Sequence, residues 1–377
     1  MRTGDAIARL SGRAWLSAGI VAVALSATAH PVAQGRLWVE IFPDHITVRA
    51  TVPLEEVLVE AQDSGPEILL VEKLRAHGRY LASHLQLIAD GYALTGRVAQ
   101  LPGQATTGWS EYALDYGPTD GPATRVELRQ DVLNEFQFAP GNRWEASYLV
   151  RIGRSDRRPL NELLLTSQRP LTWLDHTEAA SQRQIQFAAS FVRHGISHIL
   201  GGWDHLLFVM ALALGAASMW DLVKVVAMFT LAHTVTLTLA AFDLVRLPGR
   251  VVEPMIAASI VCVALQNVFR PESGTSPTRL ATAFVFGLFH GLGFAGGLLR
   301  VMAGLSTMKA LGAIGAFSVG VELGHQAVVL PAFLSLRLLR RARGPGSWRG
   351  SSVWQLRRYG SALIALAGCF YLAEALR

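Results

Sequence analysis

From about Gly195 onward the chain repeats runs of roughly 20 residues with almost no charge, the length an α-helix needs to cross a ~30 Å hydrocarbon core. The first 185 residues show no such run after the extreme N-terminus. A chain built this way divides into an extramembrane first part and a membrane second part. The 377 residues have a mean hydropathy of +0.32 and only 16% charged side chains, too apolar for an ordinary soluble domain. Six spans are expected, at roughly 196–216, 222–242, 252–269, 280–301, 310–336 and 356–376.

Residues 1–29 carry Arg2, Arg9 and Arg13, an apolar stretch from Ala14 to Leu25, and the close Ser-Ala-Thr-Ala29. That pattern reads as a secretory signal peptide and is excluded from the fold. Cleavage after Ala29 would leave His30 at a new N-terminus, where its imidazole and the free amine together form a chelating pair. An exported N-terminal part sets the parity of the spans, and the loop after the fifth then lies in the cytoplasm. That loop and its margins hold Arg337, Arg340, Arg341, Arg343, Arg349, Arg357 and Arg358, as positive-inside orientation requires. The net charge of +6 is thereby read as a topology signal, and no nucleic-acid partner is expected. Both cysteines, Cys262 and Cys369, lie in apolar runs, so the first part can form no disulfide.

In residues 30–185 the hydrophobic period is two. Leu37, Val39 and Ile41 alternate with polar neighbours, Pro43-Asp44 makes a turn, and Ile46, Val48, Ala50 and Val52 resume, which describes a β-hairpin. One helix is expected from about Pro66 to Ile88, and short strands at Tyr92–Leu101, Tyr112–Tyr116, Arg125–Leu128, Arg143–Ile152 and Leu163–Ser167. The fold class is thus a membrane all-α protein: a six-helix transmembrane bundle (186–377) preceded by a periplasmic antiparallel β-sandwich-like domain with one helix. His45, His77, His84 and His176 read as surface or turn residues of that domain.

Ionisable side chains inside a membrane cost several kcal/mol and mark functional positions. Six of the eleven histidines fall between 194 and 325. On an unbroken helix His194, His198 and His205 form one stripe, with Asp204 about a quarter turn from His205. His233 follows on the second span, Glu253 at the start of the third, His290 on the fourth, and Glu322 and His325 on the fifth. Thr230, Thr234 and Thr238 share a face near His233, while Ser259, Gln266 and Asn267 are grouped on the third span. The run Phe286-Gly-Leu-Phe-His290-Gly-Leu-Gly293-Phe-Ala-Gly-Gly297 allows close helix approach or a break near His290. Imidazoles with a few carboxylates suit Ni²⁺, Co²⁺, Zn²⁺ or Cu²⁺ rather than Mg²⁺ or Ca²⁺. The metal-ligand candidates are therefore His198, Asp204, His205, His233, His290 and Glu322, followed by His194, Glu253, His325 and His30.

In these stretches the membrane part resembles the HupE/UreJ family of hydrogenase and urease accessory proteins. The resemblance runs through Gly195-Ile-Ser-His198 to Trp203-Asp204-His205-Leu-Leu-Phe208, Phe229-Thr-Leu-Ala-His233-Thr-Val-Thr-Leu237, Val252-Glu253 with Ser259 and Asn267, Phe286 to Ala295 around His290, and Gly320-Val-Glu322-Leu-Gly324. The long exported N-terminal part resembles that of the family's larger members. The resemblance implies a bacterial inner-membrane permease for nickel, with cobalt next, that supplies metalloenzyme assembly. It also implies maturation proteins or periplasmic metal carriers as partners. Ile199 stands where small members carry Pro, and Ser318 and His325 stand where Asn and Gln are expected, which ranks His325 below Glu322. No ATP-binding loop is present, so transport would be passive or ion-coupled, and no enzyme activity or tightly bound cofactor is expected. The rival readings are an intramembrane metal-dependent enzyme, although no His-Glu-x-x-His stretch occurs, and a periplasmic metal-binding or assembly module on an inert anchor.

Overall fold

The computed structural model describes residues 32–62, 65, 67–101, 108–139, 142–155, 161–167, 170–174, 180–269, 277–302, 305–341 and 352–376. The signal-peptide reading, His30 and His176 lie outside these residues. Packing divides the chain into two units. One comprises 192–295 and 314–377; the other comprises 30–191 with 296–313.

The β-rich unit opens with the expected hairpin, β1 (Val32–Ile41) and β2 (Ile46–Pro53), paired Val39 to Val48 and closed by Phe42 N donating to His45 O at 2.9 Å. Alternation does the sorting: Leu37, Val39, Ile41, Ile46, Val48, Ala50 and Val52 are all buried. Two helices follow, α1 (Leu54–Glu60) and α2 (Leu70–His84), then the strands β3 (Leu85–Ala89), β4 (Tyr92–Leu94), β5 (Gly96–Gln100), β6 (Trp109–Tyr116), β7 (Arg125–Gln130), β8 (Gln137–Ala139), β9 (Asn142–Arg143), β10 (Glu145–Arg154), β11 (Asn161–Thr166) and β12 (Leu171–Leu174). One sheet has the order β11-β10-β1-β2-β6-β5, a second β12-β7-β3-β4, and β8 pairs with β9. Apolar residues of both large sheets and of α2 form one core.

Three features differ from the sequence reading. The sheet is not wholly antiparallel: β1 and β10 run parallel, in register from Val32 opposite Glu145 to Ile41 opposite Arg154. Strands a hundred residues apart have ample chain for the crossover that a parallel pair needs. The helix stops at His84 and Leu85–Ala89 is a strand, because its alternating burial serves the second sheet better than another helical turn would. Finally, α1 is a second helix, too short for its periodicity to stand out in the sequence.

From residue 180 the chain is helical: α3 (Ala180–Gly201), α4 (Trp203–Gly215), α5 (Met219–Ala241), α6 (Gly249–Phe269), α7 (Pro277–Met302), α8 (Thr307–Arg341) and α9 (Ser352–Ala375). Helices thus occupy all six expected positions. Among the described residues three of them, α5, α6 and most of α8, are long and apolar enough to cross a membrane, and α3 with α4 makes a fourth if taken as one bent span. Length and composition among the described residues therefore support three to four spans. Outward-facing Leu231, Val235, Leu265, Val319 and Leu323 are exposed on these helices, as lipid contact requires. This is a membrane protein.

The first expected span is not one rod. α3 and α4 meet at Gly202 at an angle of 75°. At its far end, where the helix stops at Gly215, α4 leaves its last carbonyls without helical partners, and buried side chains answer them. Asn267 Nδ2 donates to Ala211 O at 2.6 Å, Arg279 to Leu212 O and Gly215 O, and Arg357 to Leu214 O and Ala216 O, while Ala213 O accepts from Ala216 N. Arg357, read from the sequence as part of a topology signal, is 4% exposed and is a structural cap. Each unanswered buried carbonyl costs about 1–3 kcal/mol. Arg357→Leu is expected to lower the unfolding midpoint of the detergent-solubilised protein by an amount matching two lost partners. The exposed neighbour change Arg358→Leu is expected to stay within about 0.5 kcal/mol of wild type. Equal effects of the two changes would remove the capping role.

Candidate metal centre

Gly202 makes the centre possible. A Cβ there would meet His198 O at 2.9 Å, His205 Cδ2 at 3.0 Å and Asp204 Oδ1 at 3.1 Å, so only glycine fits so tight a bend. Seven residues along an unbroken helix would separate His198 from His205 by about 10.5 Å. With the helix broken, their rings stand 4.7 Å apart. The continuous stripe expected from the sequence is replaced by a fold-back, and His194 is left to pack against Phe317 at 5.7 Å.

Close helix approach brings in the other imidazoles. A Cβ at Gly291 would collide with the His233 carbonyl and the Thr236 hydroxyl, and one at Gly287 with the Phe229 carbonyl. The glycines of α7 thus serve contact with α5 and put no break at His290, since α7 is continuous. On α8, Gly320 lies against the backbone of Val192 and Gly324 against Ile199, which seats α8 on α3.

The result is a cluster with His205 at its middle. The ring of His205 lies 4.7 Å from His198, 5.1 Å from His290, 6.0 Å from His233 and 6.0 Å from His325. Ligand atoms of His198, His205 and His233 lie within 4.8 Å of one another, as do those of Asp204, His205 and His290. Both groupings use His205. Asp204 stands in the first turn of α4, where its charge offsets the positive end of the helix dipole that would otherwise repel a cation. Phe208 and Phe229, stacked at 4.7 Å, wall the cluster beside His290, and Phe317 lies 5.6 Å from His198.

Hydroxyl groups set which ring nitrogen is available. Thr230 donates its one hydroxyl proton to Glu322 Oε2 at 2.6 Å, so at 3.2 Å His325 must donate its Nδ1 proton to Thr230. That leaves the Nε2 lone pair of His325 with no hydrogen-bond partner among the described residues. Ser259 likewise gives its proton to Ile256 O at 2.6 Å, so His290 Nε2 donates to Ser259 at 3.0 Å and Nδ1 keeps its lone pair. Neutral imidazoles with a fixed tautomer and an open lone pair are what a transition metal binds.

The sequence-expected residues are thus placed as follows. His198, Asp204, His205, His233 and His290 come together. His325, ranked low from the sequence, joins them with its ring buried. Glu322 stands one layer back, its oxygens taken by Thr230 and by Gln326 Nε2 at 2.7 Å. Glu253 is exposed near the start of α6 and outside the cluster. Sequence reasoning grouped Thr230 and Ser259 with their faces but missed that each fixes an imidazole; a hydroxyl residue on a helix facing a histidine was the available signal.

A family model described as HupE / UreJ protein matches residues 175–375, which span all of these groups. No curated relative and no solved structure matches the chain. By that match, over more than half its length, the chain belongs to the HupE/UreJ family.

Proposed function

We propose that the chain is a permease of the bacterial inner membrane that carries a divalent transition metal, nickel first and cobalt next, toward metalloenzyme assembly. Its β-rich unit lies on the periplasmic side, and helices at the six expected positions form the bundle. The observation that carries this reading is the convergence of four imidazoles on a fifth, His205, beside a broken helix. Membership of the HupE/UreJ family supports a metal-handling role.

The geometry suits passage rather than permanent residence. Metal–ligand bonds of about 2.0–2.1 Å put neighbouring ligand atoms of a tetrahedral ion about 3.3 Å apart. Atoms that lie within 4.8 Å of one another reach that spacing by closing about 1.5 Å or less. The two groupings share His205, so an ion moves from one to the other by exchanging its remaining ligands while His205 keeps hold. The protein is a carrier with no tightly bound cofactor, and the ion is its cargo. Metalloenzyme-maturation or periplasmic carrier proteins are its partners on the two sides.

His205→Ala is expected to abolish radiotracer uptake, assayed with nickel, cobalt, copper and zinc in turn, while folded protein in the membrane is unchanged. Normal uptake of every metal by that variant would end the permease reading. Thr230→Val breaks the link between Glu322 and His325 and is expected to weaken metal binding about tenfold or more, with recovery in Thr230→Ser. A Thr230→Val protein with wild-type binding would show that the tautomer of His325 is not set by this hydroxyl.

A further inference from the structure

The outward face of the larger sheet gathers cations around one indole. The alternation along β1 that sends Leu37 and Val39 into the core sends Arg36 and Trp38 out. Register does the rest: Trp38 stands opposite Arg49 on antiparallel β2 and opposite Arg151 on parallel β10. The guanidinium carbons of both lie over the Trp38 ring, at 5.4 Å for Arg49 and 5.8 Å for Arg151, while that of Arg36 lies 5.9 Å from the ring of Trp109 on β6. Stacking on an aromatic face orients a guanidinium and turns its N–H edge toward polar partners.

Arg36, Trp38, Arg49, Thr51 and Arg151 line one cavity of about 330 Å³, the size of a small-ligand pocket. Among the described residues that line it, Glu111 is the one carboxylate. Two more carboxylates stand outside the lining. Glu40 accepts from Arg49 Nη2 at 3.1 Å. Glu162 accepts from Arg151 Nε at 3.1 Å but is shared, its other oxygen taking Lys309 Nζ at 2.8 Å. Burial and the repulsion of Arg151 hold the Arg36 guanidinium below its ordinary range against the pull of Glu111, the mark of a cation that its surroundings do not fully neutralise. The Trp38 Nε1–H is buried and has no hydrogen-bond partner among the described residues. A buried donor is nearly always satisfied, so one left open beside three cations calls for an acceptor.

An anion answers both the excess charge and the open donor. Arg151, Arg36 and Arg49 come from three adjacent strands, whose spacing of about 4.8 Å sets the backbones of Arg151 and Arg49 about 10 Å apart. Guanidinium forks spread over that width match carboxylates separated along a short carbon frame better than the single centre of a phosphate. We propose that this face of the β-rich unit binds a small di- or tricarboxylate anion, held by Arg36, Arg49 and Arg151 with the Trp38 indole N–H as a further donor. The site shares no residue with the histidine cluster and does not rest on the permease reading.

The test uses the full-length protein in detergent, with no metal added, and citrate and inorganic phosphate as probes in isothermal titration calorimetry. The expected result is one citrate per chain, with phosphate at least about tenfold weaker. Arg49→Gln, a change at an exposed side chain, is expected to weaken citrate binding at least about tenfold, as is Arg36→Gln. Trp38→Phe keeps an aromatic ring under the arginines and is expected to weaken it about fivefold through the lost N–H. Arg129→Gln removes the same charge from the second sheet and is expected to leave citrate binding unchanged. The proposal is overturned by no saturable citrate binding, by phosphate binding as tight as citrate, by citrate binding unaltered in folded Arg49→Gln or Trp38→Phe protein, or by an equal loss in Arg129→Gln.

Discussion

A helix that ends in an apolar interior must find partners for the carbonyls it exposes, since no water reaches them. The end of α4 at Gly215 meets that requirement. Arg279 from α7, Arg357 from α9 and Asn267 from α6 converge on residues Ala211–Ala216, so three helices far apart in sequence hold one half-helix by its end. The positive charge of the two arginines also suits the negative end of the α4 dipole. With that end secured, the other end of α4 can present Asp204 and His205 to the cluster in a fixed orientation.

Around His205 the packing and the chemistry depend on each other. Small residues let the helices come close enough for imidazoles from α3, α5, α7 and α8 to face one another, and any Cβ at Gly291 or Gly320 would separate them. Neutral imidazoles tolerate an apolar setting that a row of carboxylates would not. Their hydrogen bonds to Thr230 and Ser259 leave one nitrogen of His325 and one of His290 with an open lone pair.

The β-rich unit follows the same rule with different outcomes at two histidines. His45 lies in the hairpin turn beside Asp44, 2.7 Å away, whose carboxyl that hydrogen bond helps hold below its usual range. His77 carries no sequence mark that separates it from His45. It became a core residue because α2 turns it toward α1 and the strands, which no local pattern records.

Much was legible in the order of residues alone. Period-two alternation marked β1 and β2, apolar runs marked the helices of the membrane unit, and the cost of ionisable groups in lipid singled out His198, Asp204, His205, His233 and His290. These are local properties, set by the 3.6 and 2 residue periods and by solvation. What only the tertiary structure decided is non-local. The parallel pairing of β1 with β10, the bend at Gly202, the advance of His325 over Glu322, the burial of His77 and the use of Arg357 as a cap each depend on partners tens to hundreds of residues away. The stretch from His198 to His205 shows the division: the sequence determined that these side chains would sit in an apolar setting, and the 75° break at Gly202 decided that they would face each other.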